Sequence, residues 1–309
     1  MRTTPAITHT RAGIRGGGGL KRSANITAYL MIAPCVILLT IFVTFPLLNA
    51  VRWSFYEWSF YRESPYVGTR NFEIVLGDRY FYNSLLVGLR WVGLVVPTRF
   101  VLAFVLALVL KHQSRAMGPI VKTAVFAPHV TSVVVSSWIF SYIFDYQAGI
   151  LNGLLRAVGV GRIAWLSEVS LALPAQAVIM IWMSFGFETL IMLAGVNDIP
   201  ETYYEAAIID GANFLQQTWR ITVPMMKNVF LFVLVTSTTA TMQSFQIQDL
   251  TTQGGPLRST TTPNLLIFNH FRSDFTLGYT MAAALLLFVV IASISMVLFR
   301  VIQSEKLGE

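Results

Sequence analysis

Charge is scarce in this chain. Only 12% of its 309 residues are Asp, Glu, Lys or Arg, about half the share usual in a soluble domain. Cysteine is nearly absent: Cys35 stands alone in an apolar run, which excludes a disulfide framework and a thiolate metal site. His9, His112, His129 and His270 are scattered, which argues against a histidine metal cluster. No G-x-x-x-x-G-K-[ST] phosphate loop occurs, and the run Gly16–Gly19 lacks both the Lys-Ser/Thr ending and a flanking strand. No acid–base cluster stands out either. The chain is not expected to be an enzyme, to hydrolyse ATP itself, or to hold a metal or other cofactor.

What it has in quantity is apolar mass: 55% hydrophobic residues and a mean hydropathy of +0.62. This is the composition of a polytopic, all-α membrane protein. The formal charge of +7 raises the question of nucleic acid, but no basic helix or aromatic RNA-binding motif accompanies it. The Lys and Arg bias of membrane-protein loops explains the excess instead. Residues 1–24 form a basic, Gly-rich tail without periodicity, read as disordered. The apolar run that follows is too long for a signal core and lacks a small-residue cleavage site, so it is a first transmembrane helix.

A bilayer core needs about 20 apolar residues per helix. Windows at 23–51, 123–144, 169–195, 228–248 and 275–299 meet the test, and 83–110 meets it less cleanly because of Arg90 and Arg99. Six spans place both ends on one side. The tail, the 111–122 and 196–227 loops and the carboxyl end then hold twelve of the 22 Lys and Arg residues, against eight opposite. Both termini are therefore expected in the cytoplasm, with residues 25–303 as the membrane domain and 304–309 as a short end.

One segment is unlike the rest. "IPETYYEAAIIDGANFLQQTWRITVP" (Ile199–Pro224) is polar and amphipathic and lies between two spans. Asp198 and Glu201 have capping-box spacing, predicting a helix to about Asp210 that Gly211 ends in a left-handed turn. Asn213 and Gln216 repeat the spacing and predict a second short helix closed by Pro224. A helix resting on lipid headgroups would carry a basic face. This one carries Glu201, Glu205 and Asp210 and no Lys or Arg before Arg220, so a protein partner suits it better. Ala206 and Ala207, with Tyr203, Tyr204, Ile208 and Ile209 beside them, offer that partner a close approach.

Glu205-Ala206-Ala207, Gly211, Ile221 and Val223-Pro224 resemble the EAA loop of the permease subunits of binding-protein-dependent ABC importers. Val223 replaces the usual leucine. "APHVTSVVVSSWIFSYIFDYQAGILN" (Ala127–Asn152) resembles the third-span signature of that family. "LTTQGGP" (Leu250–Pro256) and "LGYTMAAALLL" from Leu277 are similar to the carbohydrate and glycerol-phosphate class. The resemblance implies a type I six-helix bundle in the cytoplasmic membrane of a bacterium or archaeon. It also implies four kinds of company: a second related permease, two ABC ATPase subunits that use ATP and Mg, an extracytoplasmic solute-binding protein, and the lipid bilayer. Glu205, Ala206, Ala207, Asp210 and Gly211 would form the coupling element.

For a solute pathway the candidates are polar or aromatic residues inside spans. Gln243 and Gln246, three apart and so expected on one helical face, suit sugar hydroxyls or serve as interhelical glue. Trp138 and Tyr142, four apart, make a platform for a sugar ring or simply pack. Arg99 and Glu188 lie at similar depth, twelve residues before Lys111 and ten before Asp198. Either they pair across spans two and four, or Arg99 faces an anionic solute. An ion-coupled secondary transporter using Glu188 is the rival reading, although no inverted repeat is evident. The aromatic-rich segment 53–82 suits both interface anchoring and docking of a binding protein.

Overall fold

The computed structural model describes residues 17–58, 63–111, 113, 117–273 and 277–303. Among these, every regular element is helical, and the one β-bridge joins Tyr56 to Tyr66. The chain divides into two compact units, Met1–Arg52 and Trp53–Glu309.

The first unit is one long helix with a wide turn in it: α1 (Gly17–Leu39), a π-helical turn Thr40–Thr44, and α2 (Phe45–Trp53). Pro46 explains the turn. It supplies no N–H to the carbonyl one turn back, so Phe45 instead bonds five residues back to the Thr40 carbonyl. The expected disordered tail falls, for residues 1–16, outside the described residues, whereas residues 17–24 begin α1.

The second unit is built around two parallel helices, α4 (Arg79–Lys111) and α8 (Ala172–Asn197), packed start to start and end to end. Ala103 and Ala107, fully buried one turn apart, let α4 approach Met192, Leu193 and Val196 of α8. At the other end Val87, Trp91 and Val95 meet Leu173 and Ala177. Before α4 lies α3 (Arg70–Gly77). Between the two long helices run α5 (Met117–Val130), α6 (Val133–Ile143) and α7 (Ile150–Ala157). Gly186 of α8 touches α5 so closely that an added Cβ would lie 1.9 Å from the Val125 carbonyl oxygen.

After α8 come α9 (Glu201–Ile209), α10 (Phe214–Gln217), a π-helical turn Thr218–Thr222 and α11 (Val223–Met225). The chain continues through α12 (Lys227–Gln243), α13 (Gln246–Thr251), α14 (Pro263–Ser273) and α15 (Gly278–Gln303). The second π-turn has the same cause as the first: Pro224 follows it, and Val223 bonds back to the Thr218 carbonyl.

Among the described residues four helices are long and apolar enough to cross a membrane: Ala28–Trp53, Arg79–Lys111, Ala172–Asn197 and Gly278–Ile302. Two further spans are bent pairs, Gly118–Val130 with Val133–Ile143 at 93° and Phe214–Met225 with Lys227–Thr251 at 70°. Counting each bent pair once gives the expected six. Extended backbone at Ser132 makes the first break.

Two local expectations need correction. Asp198 does not cap α9: its own backbone is still helical at the end of α8, and the extended residue before α9 is Pro200, which has no side-chain acceptor. Nor does Pro224 close the second short helix. The π-turn absorbs its missing N–H, the helix runs on to Met225, and the bend falls at Met226.

Candidate functional site

Three places hold the residues singled out above. The first is buried between α4, α8 and α12. Arg99 Nη2 lies 2.8 Å from Glu188 Oε1, with the two side chains 3% and 8% exposed. Ser237 donates to the same carboxylate oxygen at 2.8 Å, and its own Oγ accepts from Arg99. Arg99 Nε and Glu188 Oε2 lack a hydrogen-bond partner. Of the two alternatives for Arg99, the pairing across spans is the one the geometry contains. Ser237 was missed as a member because a serine in an apolar helix carries no signal beyond glue.

The second place is the segment after α8. Gly211 adopts φ +77, its N–H bonds to the Ile208 carbonyl at 3.0 Å, and Ala212 bonds back to Ala207 at 2.8 Å. These two bonds make a Schellman turn, which only a residue tolerant of left-handed backbone completes cheaply. Asn213 and Gln216 form the expected capping box, at 2.8 and 2.9 Å. Glu205, Ala206 and Asp210 are exposed and Ala207 is half-buried. Ile209, Leu215 and Trp219 add an apolar surface at 86%, 64% and 67% exposure. Tyr204, expected among the partner-facing residues, does not belong there. It points inward, 8% exposed, and its hydroxyl shares a 2.9 Å hydrogen bond with Thr222.

The third place is the polar and aromatic lining. Trp138 and Tyr142 are exposed and, with Ser141, Asp145, Leu250 and Thr251, border a cavity of about 600 Å³. Gln243 borders a different one, of about 380 Å³, with Thr239, Asn264 and the apolar side of α15. The two glutamines do not share a helical face, because extended backbone at Ser244 separates α12 from α13. Both are exposed. The buried glutamines are others: Gln176 donates to Thr251 and Thr252 at 2.8 and 2.9 Å, and Gln248 is fully buried. The neighbouring threonines mostly serve packing: Thr236 bonds to its own helix, and Thr239 reaches Ser295.

Residues behind the resemblance acquire structural reasons. The Asn152 amide ties Asp145, Tyr146 and Ile163 together through four hydrogen bonds. A Cβ on Gly149 would lie 2.3 Å from the Asp145 carbonyl. In the Gly-Gly-Pro loop, Gly254 is left-handed at φ +87, and Thr260 and Thr261 hold the Gly255 and Gly254 carbonyls. In the segment after α2, Trp53 stacks on Trp58 and Tyr56 meets Tyr66 edge-on; Phe60 and Tyr61 lie outside the described residues. Among the described residues no group of three His, Cys, Asp or Glu is placed to hold a metal.

Four long apolar helices and two bent pairs, each fit to cross a membrane, define a multi-pass membrane protein. Residues 74–307 match the family model described as binding-protein-dependent transport system inner membrane component, and the chain belongs to that family. It is 31% identical over 275 residues to the trehalose/maltose transport system permease protein MalF of Thermococcus litoralis, covering 88% of this chain and 92% of that one. It is 29% identical over 287 residues to the sulfoquinovosyl glycerol transport system permease protein SmoG of Agrobacterium fabrum, covering 91% and 92%. Its fold matches a chain of a bacterial ABC transporter involved in the import of the acidic polysaccharide alginate, with a TM-score of 0.81 at 22% identity over 92% and 98% of the two chains. The chain is thus a transport subunit of an ABC importer rather than an enzyme. The ion-coupled reading has no support: its carboxylate, Glu188, is sealed against Arg99 and Ser237.

Proposed function

We propose that this subunit, paired with a second related permease, forms the membrane pathway for a sugar or sugar-like solute delivered by an extracytoplasmic binding protein. Two ABC ATPase subunits drive it from the cytoplasm, where both termini lie, and they alone bind ATP and Mg. The sugar class rests on the relatives, whose names include trehalose/maltose, sulfoquinovosyl glycerol and lactose permeases. Within residues 25–303, the 196–227 loop is the coupling element. Glu205, Ala206 and Asp210 face the ATPase, Ala207 allows close packing beneath them, and Gly211 sets the turn.

The observation that carries this reading is the exposed acidic and apolar surface of α9 and α10 on an otherwise lipid-compatible chain. An exposed patch of that kind fits a protein groove, because anionic lipid repels Glu205 and Asp210. Solute passes by Trp138, Tyr142, Gln243 and Gln246, where ring faces and amides meet hydroxyl groups. The test is co-purification: Ala206→Trp should release the ATPase subunits while the two permeases stay together. ATPases that remain bound to A206W would contradict the assignment of the knob.

A further inference from the structure

α9 is exposed along almost its whole length, and Tyr204 is its one buried side chain. The Tyr204 ring sits in the core with Leu110 of α4, Val196 and Ile199 at the end of α8, and Met226 at the bend before α12. Lys111, the last residue of α4, places its ammonium 3.6 Å above that ring. The same ammonium lies 3.5 Å from Glu201 Oε2. The Tyr204 hydroxyl reaches Thr222, 2% exposed, in the π-turn that leads into α11 and the bend. Four elements therefore meet on one aromatic ring.

Beneath α9 lies a cavity of about 280 Å³ bordered by Lys111, Tyr204, Ile208, Phe214 and Thr222. The helix is thus held over a gap by this contact and not by packing along its length. Helix termini favour the arrangement: a lysine suits the negative end of α4, and Glu201 suits the positive start of α9. Which contact matters can be decided by exposure. Glu201 is 68% exposed while Lys111 is 13% exposed, so the ion pair is screened and the sheltered cation–π contact dominates.

We infer that Lys111, Tyr204 and Thr222 form the joint that makes the coupling knob move as one body with α4 and α8. This inference rests on the coupling role given to the 196–227 loop. Lys111 is a positioning residue: it touches neither solute nor nucleotide, and acts by keeping α9 from tilting into the gap when the ATPases push on it. Without the joint, part of each ATPase stroke is spent tilting α9 instead of moving the helix bundle.

The test uses the whole complex in vesicles, with binding protein and a transported sugar, and measures uptake and ATP hydrolysis in the same preparation. Lys111→Met keeps the apolar stem and removes the charge. It should lower uptake per ATP hydrolysed about tenfold, within the range of allosteric couplings, with the ATPases still bound. Lys111→Arg should restore the ratio, Glu201→Gln should barely change it, and Tyr204→Phe should give an intermediate value. An unchanged ratio in K111M, or hydrolysis and uptake falling in proportion, overturns the joint. Should K111M fail to assemble, spin labels at Thr202 and Val101, both exposed, in a Cys35→Ser background decide the matter. Their separation should be the same in the nucleotide-free and ATP-bound complexes; a change beyond about one helical turn, roughly 5 Å, overturns the proposal. ATPases that never co-purify with the unaltered permeases would contradict the coupling role itself, a different outcome from a lost ratio.

Discussion

Replacing Glu188 by Gln should do far more damage than replacing Glu188 and Arg99 together. At 2.8 Å and an effective dielectric of about 20, the two charges attract by about 6 kcal/mol. Desolvating two ions offsets most of that gain, so the pair as a whole contributes little net stability. Its unpartnered Arg99 Nε and Glu188 Oε2 reduce the net further. Removing one partner is another matter, because the other charge stays buried and uncompensated at a cost of about 3–5 kcal/mol. At roughly 2–4 °C per kcal/mol, Glu188→Gln or Arg99→Gln should lower the thermal midpoint of the detergent-solubilised complex by about 10 °C. The double variant Arg99→Met/Glu188→Leu should lie within about 1 kcal/mol of the unaltered protein, since the Ser237 hydroxyl can turn to its own helix backbone. It should also transport, because no solute contact is lost. A double variant as unstable as the two singles summed would refute the energetic reasoning. A stable double variant without uptake would restore Arg99 as a solute contact.

Gly186→Ala should destabilise by about 3 kcal/mol through overpacking, because the new methyl would meet the Val125 carbonyl. Gly153→Ala, with open space around it, should be neutral in the same melting assay. At Gly211 the space is open but φ is +77, so Gly211→Ala costs about 1–2 kcal/mol of local backbone strain. Uptake should fall in the order Gly, Asn, Ala, Val at that position, with equal expression checked by blotting. Trp138→Ala and Tyr142→Ala should raise the solute concentration for half-maximal uptake more than they lower the maximal rate. Equal effects on both in a titrated uptake assay would assign them to packing.

The apolar windows made the membrane helices legible because hydropathy needs no tertiary knowledge. The depth of Arg99 and Glu188 was legible for a related reason: each could be reckoned from its helix end, and the cost of a lone charge supplied the motive for pairing. Gly211 and the Asn213–Gln216 box were legible because they act within one turn of backbone. What stayed hidden depended on contacts between elements. Apolar residues stand in adjacent pairs along α9 — Tyr203 and Tyr204, Ala206 and Ala207, Ile208 and Ile209 — so periodicity does not select an inner face, and only packing against Leu110 and Met226 turns Tyr204 inward. The break at Ser244 has no glycine or proline to announce it. Asp198 had the right spacing for a cap, but α8 ran one residue further and claimed its backbone. Pro224 looked like a stop because the sequence does not reveal that a π-turn will absorb it.

Uptake into sealed vesicles containing the permease pair, the two ATPases and the binding protein is the decisive measurement. Sugar should accumulate inside only when ATP is supplied on the side that the ATPases face. Proton or sodium gradients without ATP should give none, and this chain alone should give none under any condition. Uphill uptake by this chain alone, driven by an ion gradient, would contradict the account.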